Sequence, residues 1–360
     1  MFHIRYNEII NQIDRIDPIL YGETRNFIDG AVTYLSPYIS RGVISTKLIL
    51  EKVLNRGYNP KKIEKFIQEL AWRDYWQQVW NAKGELINED LKAPQIRVEN
   101  HQMPCSVVKA KTGIEAIDKA IARYYETGYL HNHMRMYIAM VVCNIGRSHW
   151  KLPAQWMYYH LLDADWASNG LSWQWVAGSN SRKKYYANQD NINKYCHTKQ
   201  RGTFLDLEYS ALEGLAIPDV LRETCTPDLT TPLPENKPIQ IDPTLPTLIY
   251  NFYNLDPLWK GELFANRVLL LEPSHFAQYP VSQKTIDFIL ALTGNIKGIR
   301  VYMGEFAELI SCYGLRNILY KEHPLNKHYC GKQESRPWMF DVTGYYPSFF
   351  AFWKQCKKTL

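Results

Sequence analysis

Residues 163–175, DADWASNGLSWQW, bring two carboxylates, an asparagine and three indoles into thirteen consecutive positions. Asp165 and Asn169 are four residues apart, and this spacing places both side chains on one face of a helix. We expect this helix to end near Gly170, before the last two tryptophans. Carboxylates and amides bind the polar edge of a planar ligand, and indoles stack on its faces. The alternative is a buried helical corner without a ligand.

A second mixed group, Glu69, Trp72, Arg73 and Trp76, has the spacing i, i+3, i+4 and i+7 of one helix face. An acid and a guanidinium are unusual on a face that packs into a core. The group is typical of a cavity wall, where indoles stack on a planar ligand and the acid bonds its edge. A half-buried helix with an internal ion pair is the alternative.

A third group follows Gly128 in the segment GYLHNHMRM, where Asn132, Arg135 and Met136 share a helix face. An amide can bind a base edge, a methionine can pack softly against a ring, and an arginine can pair with a carboxylate. Asp163 is the candidate partner of Arg135. A polar helix start explains the same residues without a ligand.

The fourth segment is TYLSPYISRGVIS, residues 33–45. A helix that starts at Ser-Pro can bind phosphate through its hydroxyls and its amino-terminal N–H groups. Ser-Pro is also a common helix cap, so the segment alone does not establish a phosphate site.

Helical periodicity dominates the first two hundred residues. The segment 61–80 places its apolar residues at helical spacings, and the segment 112–128 begins with a capping box of Thr112 and Glu115 and closes at Gly128. Both are predicted to be helices. They are the elements that would position the second and third groups.

The composition changes after residue 224, because residues 226–246 contain six prolines and no periodicity. We expect an extended linker there. Beyond it, the β-rich runs 267–273 and 298–306 enclose the helical run 281–296, and a helical run 307–324 follows. This order predicts a small α/β unit with a parallel strand pair.

The composition is that of a globular protein: 360 residues, 46% apolar, 22% charged and 14% aromatic, with a net charge of +6. The charge permits a polyanionic partner without requiring one. The seven cysteines form no metal-binding pattern, and we expect free thiols and no metal site. The first residues do not read as a signal peptide and no apolar run is long enough for a membrane, so we expect a cytoplasmic protein.

From about Tyr21 to about Tyr195, the sequence resembles the FAD-binding domain of the photolyase/cryptochrome family. The resemblance is carried by six motifs in the family order: YGETRNF, LSPYISRGVIS, QELAWRDYW, TGIEAIDKAI, TGYLHNHMRM and DADWASNGLSWQWVAGS. It implies a mostly α fold, in which an all-helical FAD-binding domain is followed by the small α/β unit. It also implies a chain without the family's amino-terminal antenna domain.

The resemblance implies a cofactor site and a lesion site. The FAD-binding residues it implies are Tyr21, Thr33, Leu35, Ser36, Arg135, Asp163, Asp165 and Asn169, with Asn169 facing flavin N5. The residues it implies at damaged DNA are Arg25, Glu69, Trp72, Asn132, Met136 and Trp175. Asn132 and Met136 fit the branch that repairs cyclobutane dimers, since the (6-4) branch has histidines at both positions.

The same resemblance makes Trp173 the first and Trp150 the second electron donor to the flavin. No tryptophan lies between Trp80 and Trp150 to serve as a third. The terminal donor is then expected to be a tyrosine such as Tyr124 or Tyr125, or Trp150 is expected to lie near solvent.

The predicted division is a helical FAD- and lesion-binding domain at 1–224, a linker at 225–246 and a small α/β domain at 247–360. The leading hypothesis is light-dependent repair of cyclobutane pyrimidine dimers. One alternative is a cryptochrome-like blue-light receptor that uses the carboxy-terminal unit as an output module. Antenna replacement, dimerisation and partner docking are further roles that fit this unit. Another is a DNA-binding or redox flavoprotein without photochemistry.

Overall fold

The computed structural model describes residues 2–360. The α-helices are α1 Tyr6–Asp14, α2 Pro18–Thr24, α3 Ser36–Ser40, α4 Thr46–Leu54, α5 Glu64–Lys83, α6 Cys105–Val108, α7 Glu115–Thr127, α8 Asn132–Met140, α9 Lys151–His160, α10 Trp166–Ala177, α11 Gln189–Cys196, α12 Tyr209–Leu212, α13 Pro273–Gln278, α14 Gln283–Leu292, α15 Phe306–Tyr313 and α16 Phe349–Cys356. The strands are β1 Met103–Pro104, β2 Thr224–Cys225, β3 Thr247–Tyr250, β4 Asn266–Leu271, β5 Ile299–Met303, β6 Ile318–Lys321 and β7 Lys332–Glu334.

The described chain forms two compact units that divide the sequence differently from the predicted division. The first unit combines residues 1–18, 33–82 and 230–360, and the second combines 19–32 and 83–229. Helix α5 therefore belongs to the same unit as the carboxy-terminal sheet. Residues 226–246 contain no helix or strand. Folding of residues 1–224 on their own stays a prediction.

Helix α7 confirms one predicted end and corrects the other. It ends at Gly128, whose left-handed backbone (φ 69°) donates its N–H to Tyr124 O. The predicted capping box of Thr112 with Glu115 is wrong, because the hydroxyl of Thr112 donates to Asp118 Oδ1 at 2.7 Å. Asp118 lies one turn further into the helix, where it also accepts the backbone N–H of Thr112.

Helix α10 does not end at Gly170, as the sequence predicted, but continues to Ala177. Gly170 packs closely against the helix's own first residue, since a Cβ there would lie 3.3 Å from Cε2 of Trp166. The helix ends at Gly178, which has a φ of 89°. Trp173 and Trp175 are therefore helical residues.

Within the described residues of the first unit, β3–β7 form a parallel sheet with the strand order β5-β4-β3-β6-β7. The predicted parallel pair is present, since β4 and β5 are adjacent from Arg267 and Ile299 onward. Strand β3 was not predicted. It is buried along its whole length, and such strands have no alternating pattern to reveal them.

The predicted helix over residues 307–324 is half correct. Helix α15 ends before Gly314, whose φ is 61°, and residues 318–321 form strand β6. The short run Ile-Leu-Tyr fits either structure in sequence, and pairing with β3 decides in favour of a strand. Helices together with a five-stranded parallel sheet are thus the fold of residues 2–360.

No helix in residues 2–360 combines the length and the apolar character that crossing a membrane would require.

Candidate functional site

The second unit contains a buried ion pair between Arg135 of α8 and Asp163, which precedes α10. Nη2 of Arg135 lies 3.0 Å from both carboxylate oxygens of Asp163. Nε of Arg135 donates to the Leu130 carbonyl at 2.9 Å, which fixes the guanidinium on its helix. The side chain of Asp163 is 3% exposed and that of Arg135 is 21% exposed. The sequence-predicted pairing is confirmed, and one edge of the guanidinium is left accessible.

The next two predicted residues of the second unit order the start of α10. Asp165 caps the helix and accepts the N–H of Ser168 at 2.9 Å. Asn169, one turn later, donates from Nδ2 to Ala154 O at 2.7 Å and is 6% exposed. Because Nδ2 makes this bond, the side-chain carbonyl oxygen of Asn169 is the atom that can accept a hydrogen bond from a ligand. An amide held in this way presents a fixed acceptor to a ligand.

A histidine that the sequence analysis did not select lies at the start of α8. Nδ1 of His131 accepts the N–H of His133, so Nε2 carries the ring hydrogen. Nε2 is buried, and the backbone of Arg25 lies within hydrogen-bonding reach of the ring. Burial, with the charges of His133 and Arg135, lowers the pKa of His131 to about 4. The neutral ring is a buried donor close to the Arg135–Asp163 pair.

Trp173 on α10 is a second buried donor, 2% exposed, whose Nε1 has no partner in the described chain. Flavin rings carry carbonyl oxygens and ring nitrogens that accept hydrogen bonds. The donors His131 and Trp173, the cation Arg135 and the acceptor Asn169 thus match the polar groups of a flavin. The residues present in this unit fit the implied cofactor.

The indoles of the second unit correct one prediction about the relay. Trp150 is 0% exposed, and its Nε1 donates to Asp90 Oδ1 at 2.8 Å, so it does not lie near solvent. Its ring centroid lies 6.3 Å from that of Trp166, which the sequence analysis had not placed in the relay. Trp166 in turn lies 5.7 Å from Tyr158.

The predicted tyrosine donors lie beside a different indole. Tyr124 is buried, and its hydroxyl donates to the Met157 carbonyl. Trp156 Nε1 donates to Tyr125 Oη at 3.0 Å, and its ring packs edge-on against both tyrosines. A route to these tyrosines would therefore pass through Trp156, whereas a route through Trp150 continues to Trp166.

Four predicted DNA-contacting residues of the second unit are accessible to solvent. Asn132, the first residue of α8, is exposed, and Met136 and Arg25 are half-buried. Trp175 is 38% exposed, although tryptophan is usually well covered. An exposed indole near a helix end is typical of a binding surface.

Glu69 and Trp72 lie on α5 in the first unit, and both are half-buried. The indole of Trp72 stacks on Phe349 of α16, with centroids 3.8 Å apart and planes 10° apart. The sequence analysis could not find this contact, because Phe349 lies 277 positions later in an ordinary aromatic run. One face of the predicted lesion wall is thus covered by the chain's own carboxy-terminal helix.

The predicted phosphate segment also lies in the first unit. Helix α3 begins at Ser36 with proline in its first turn, as predicted. Before it, the Leu35 N–H donates to the Thr33 hydroxyl at 3.4 Å, and the Thr33 carbonyl accepts Gln12 Nε2 at 2.7 Å. Tyr21, assigned to the same ligand, is a half-buried residue of α2 in the second unit. The cofactor role of these four residues stays a prediction.

Comparison with known proteins gives a consistent result. Residues 66–209 match the family described as the FAD binding domain of DNA photolyase. Deoxyribodipyrimidine photo-lyase of Agrobacterium fabrum is 27% identical over 180 residues, which are 46% of this chain and 37% of that protein. Deoxyribodipyrimidine photo-lyase of Thermus thermophilus is 30% identical over 164 residues, which are 44% of this chain and 38% of that protein. The chain thus spans little more than a third of the length of these relatives.

Among solved structures, a cryptochrome of Synechocystis sp. PCC6803 matches with a TM-score of 0.48 and 23% identity, over 54% of this chain and 44% of that one. A class III photolyase of Agrobacterium tumefaciens matches with a TM-score of 0.44 and 18% identity, over 58% of this chain and 54% of that one. The family match includes most of α5 and continues through α7, α8 and α10, which carry the residues described above. Residues 66–209 are thus similar to the FAD binding domain of DNA photolyase, and FAD is the cofactor that this match supports.

Proposed function

We propose that this protein is a light-dependent DNA-repair flavoprotein that splits cyclobutane pyrimidine dimers. The observation that carries the proposal is the Arg135–Asp163 ion pair next to an oriented Asn169 in the segment that matches the photolyase FAD-binding domain. The lesion-wall residues Asn132 and Trp175 lie on the same two helices, α8 and α10, and are accessible.

When bound and reduced, FAD supplies the light-driven electron that opens the dimer and is returned afterwards. The protein's part is to position the substrate. Trp175 offers an exposed ring face for a flipped pyrimidine, and Asn132 offers an amide for the edge of the base. Glu69 is assigned a hydrogen bond to the substrate carbonyl, where negative charge develops. Arg25 is assigned a phosphate contact, which makes binding weaker at high salt.

The Trp72–Phe349 stack supports a second candidate, a blue-light receptor in which the carboxy-terminal segment covers the wall instead of DNA. The Met339 N–H also donates to Asp74 of α5 at 2.8 Å, so this segment is held at more than one point. A receptor needs such a covered wall, whereas a repair enzyme needs Trp72 uncovered or used from its other face.

A repair assay separates the two candidates. Under blue light, the reduced wild-type protein should restore pyrimidines in an oligonucleotide that contains one cyclobutane dimer, and it should bind this strand more tightly than an undamaged one. Trp72→Ala should retain FAD but bind the damaged strand more weakly, by about 1–3 kcal/mol for the lost stack. It should therefore lose the preference for damaged DNA. Phe349→Ala should keep or increase repair.

FAD content, measured from the absorbance of the purified protein, is the control for both variants. Absence of repair by wild type, together with repair by Phe349→Ala, would favour the receptor. No repair by either protein in the presence of stoichiometric FAD would contradict the repair function.

A further inference from the structure

The carboxy-terminal sheet contains a buried group of nitrogen donors that the proposed flavin chemistry does not use. Four atoms without a partner in residues 2–360 lie around Tyr253: Nε1 of Trp80, Nδ2 of Asn254, Nε2 of His275 and Nε2 of His323. We call these four residues the donor cluster. All belong to the first unit.

The position of the donor cluster follows from the strand order. The chain runs from β3 to β4 and β5 on one side and then crosses to β6 on the other side of β3. Such a reversal opens a crevice at the carboxyl ends of the two central strands, where ligands bind in open α/β sheets. Asn254 follows β3, and His323 follows β6. An Asn251–Asn326 side-chain bond of 3.0 Å joins the two segments.

Ring contacts hold the cluster together. His323 stacks on Tyr253 with centroids 4.0 Å apart, and Trp80 meets the His323 ring edge-on at 5.0 Å. His275, from α13, lies 6.0 Å from the Tyr253 ring. Trp80 is 0% exposed, and Asn254 and His323 are 5% exposed. These nitrogens are therefore out of reach of bulk water.

The hydrogen bonds of two members show that their open nitrogens are donors. Nδ1 of His323 accepts the Leu325 N–H, so Nε2 carries the hydrogen. Oδ1 of Asn254 accepts the Asp256 N–H at 3.4 Å, which leaves the NH₂ group facing the other way. The indole nitrogen of Trp80 can only donate. Buried donors of this kind normally find an acceptor, because leaving them unmatched is costly.

A buried cation lies beside the donors. The guanidinium of Arg41 is centred 3.5 Å over the Phe252 ring and 5.2 Å from the Tyr253 ring. Gly42 allows this approach: its φ is 64°, and a Cβ there would lie 2.5 Å from the Tyr253 carbonyl. The backbone of Arg41 is fixed by the Leu255 N–H, which donates to its carbonyl at 2.8 Å.

The charges around the two histidines are positive. Burial and the charge of Arg41 lower the pKa of His275 to about 3. Burial, with Arg336, His275 and Arg41, lowers the pKa of His323 well below its usual range. Both rings are therefore neutral at physiological pH, and Arg41 supplies the positive charge. N–H donors next to a cation favour a negatively charged acceptor.

We infer that the donor cluster binds a small inorganic anion at the carboxyl ends of β3 and β6. The anion accepts hydrogen bonds from Trp80, Asn254 and His323 and lies in the field of Arg41. None of the four donor-cluster residues is among those assigned to the flavin or to the lesion, so the inference does not rest on the proposed repair activity.

Bromide is the probe, because it is a small anion that scatters X-rays anomalously. Crystals of the full-length, FAD-loaded protein are soaked in sodium bromide, and an anomalous difference map is measured at the bromine edge. We expect a peak within hydrogen-bond distance of His323 Nε2 and Trp80 Nε1. Density for an ordered water without anomalous signal, or no density, would overturn the inference.

Thermal unfolding tests the site in solution. Sodium bromide replaces sodium gluconate at constant ionic strength, so that screening does not change. The wild-type midpoint should rise with bromide, and His323→Phe, which keeps a ring to stack on Tyr253 but has no donor, should lose most of this rise. His328→Phe is the matched control, since His328 pairs with Glu272 outside the cluster and should leave the rise unchanged.

Asn254→Asp keeps the test decisive if His323→Phe does not fold. It places a carboxylate of the same shape where the anion is expected to bind. The variant should no longer respond to bromide, and its bromide peak should disappear. A bromide response equal to that of wild type would place the anion elsewhere and contradict the assignment.

Discussion

A guanidinium lies at both sites, half-buried in the Arg135–Asp163 pair and fully buried in Arg41 beside the donor cluster, but the surroundings of the two charges differ. Asp163 takes both of its oxygens to within 3.0 Å of Arg135, so the charge is matched inside the chain. Arg41 lies on aromatic faces, and the groups that lower the nearby histidine pKa values are positive. Because Asp163 balances its charge, the Arg135–Asp163 pair can contact a neutral or mildly polar ring without a further counterion. At the donor cluster, the positive charge lies beside buried N–H donors that have no acceptor in residues 2–360.

The largest expected effect tests whether α5 depends on the carboxy-terminal sheet. A chain that ends at Glu223 lacks the partners of Asp74, Trp80 and Trp72, which are Met339, His323 and Phe349. We expect this chain to lose cooperative unfolding, because much of the core of the first unit is removed.

Near-ultraviolet circular dichroism and thermal melts measure this loss. A truncated chain that melts cooperatively and retains FAD would instead support the domain boundary near residue 224 that the sequence predicts.

The second effect tests whether the Arg135–Asp163 ion pair supports FAD binding. Asp163→Ala removes the carboxylate partner of the half-buried Arg135, at a cost of about 3 kcal/mol, the low end for a buried pair, and FAD retention should fall accordingly. Asp219→Ala is the control, because the Asp219–Arg222 pair is on the surface and should contribute little. The measurement is FAD released on dilution, followed by flavin fluorescence. Equal retention by both variants would remove the Arg135–Asp163 pair from the cofactor site.

The two regions also differ in how far the sequence predicts them. Asp163, Asp165 and Asn169 lie within seven residues, so a local motif identifies them. Arg41, Trp80, Asn254, His275 and His323 come from separate segments, and no spacing in the sequence relates them. Only the pairing of β3 with β6 brings the segments of Asn254 and His323 together, and β6 was predicted to be helical.

A further local failure concerns the end of α10. Gly170 is a good helix stop in sequence, yet α10 continues through it, and the missing Cβ leaves room for the Trp166 ring one turn earlier in the same helix. The helix thus includes a residue that is about 1 kcal/mol less favourable there than alanine.

The third effect is a pH dependence of the first unit. Burial raises the pKa of Asp74 to about 6, although it accepts the Met339 N–H and the Thr46 hydroxyl. An acid whose pKa is higher in the folded state binds more protons there, so it favours folding at low pH. This contribution is lost as the pH rises from about 4 to above 6, and amounts to about 3 kcal/mol for two pKa units.

Asp74→Asn should remove this dependence. As the pH rises from 4 to 7, the unfolding free energy of the variant should increase relative to that of wild type. Urea unfolding at several pH values measures this difference. Thr46 can rotate its hydroxyl to accept from the new amide. A constant difference over this range would mean that Asp74 is ionised in the folded protein at every pH tested.

Substitution of the indoles of the second unit should change stability least of all. Its effect on photochemistry should be large. Photoreduction of oxidised flavin needs electrons from a chain of oxidisable side chains, whereas repair by chemically reduced protein does not. Trp173→Phe keeps an aromatic ring but removes the easily oxidised indole, so photoreduction should be abolished while repair after dithionite reduction is retained. Undiminished photoreduction would show that electrons enter by another route and that Trp173 is not the first donor.

Two further variants locate the end of the relay. Trp150 is buried and lies 6.3 Å from Trp166, whereas Trp156 contacts Tyr125. If the electron hole moves from Trp150 to Trp166, Trp166→Phe should slow photoreduction under blue light with an external reductant, and Trp156→Phe should not. Both indoles are buried and each donates one hydrogen bond, so the two substitutions have similar structural costs. Slowing by Trp156→Phe alone would instead assign the terminal step to the tyrosines of α7, and equal rates for all three proteins would end the relay at Trp150.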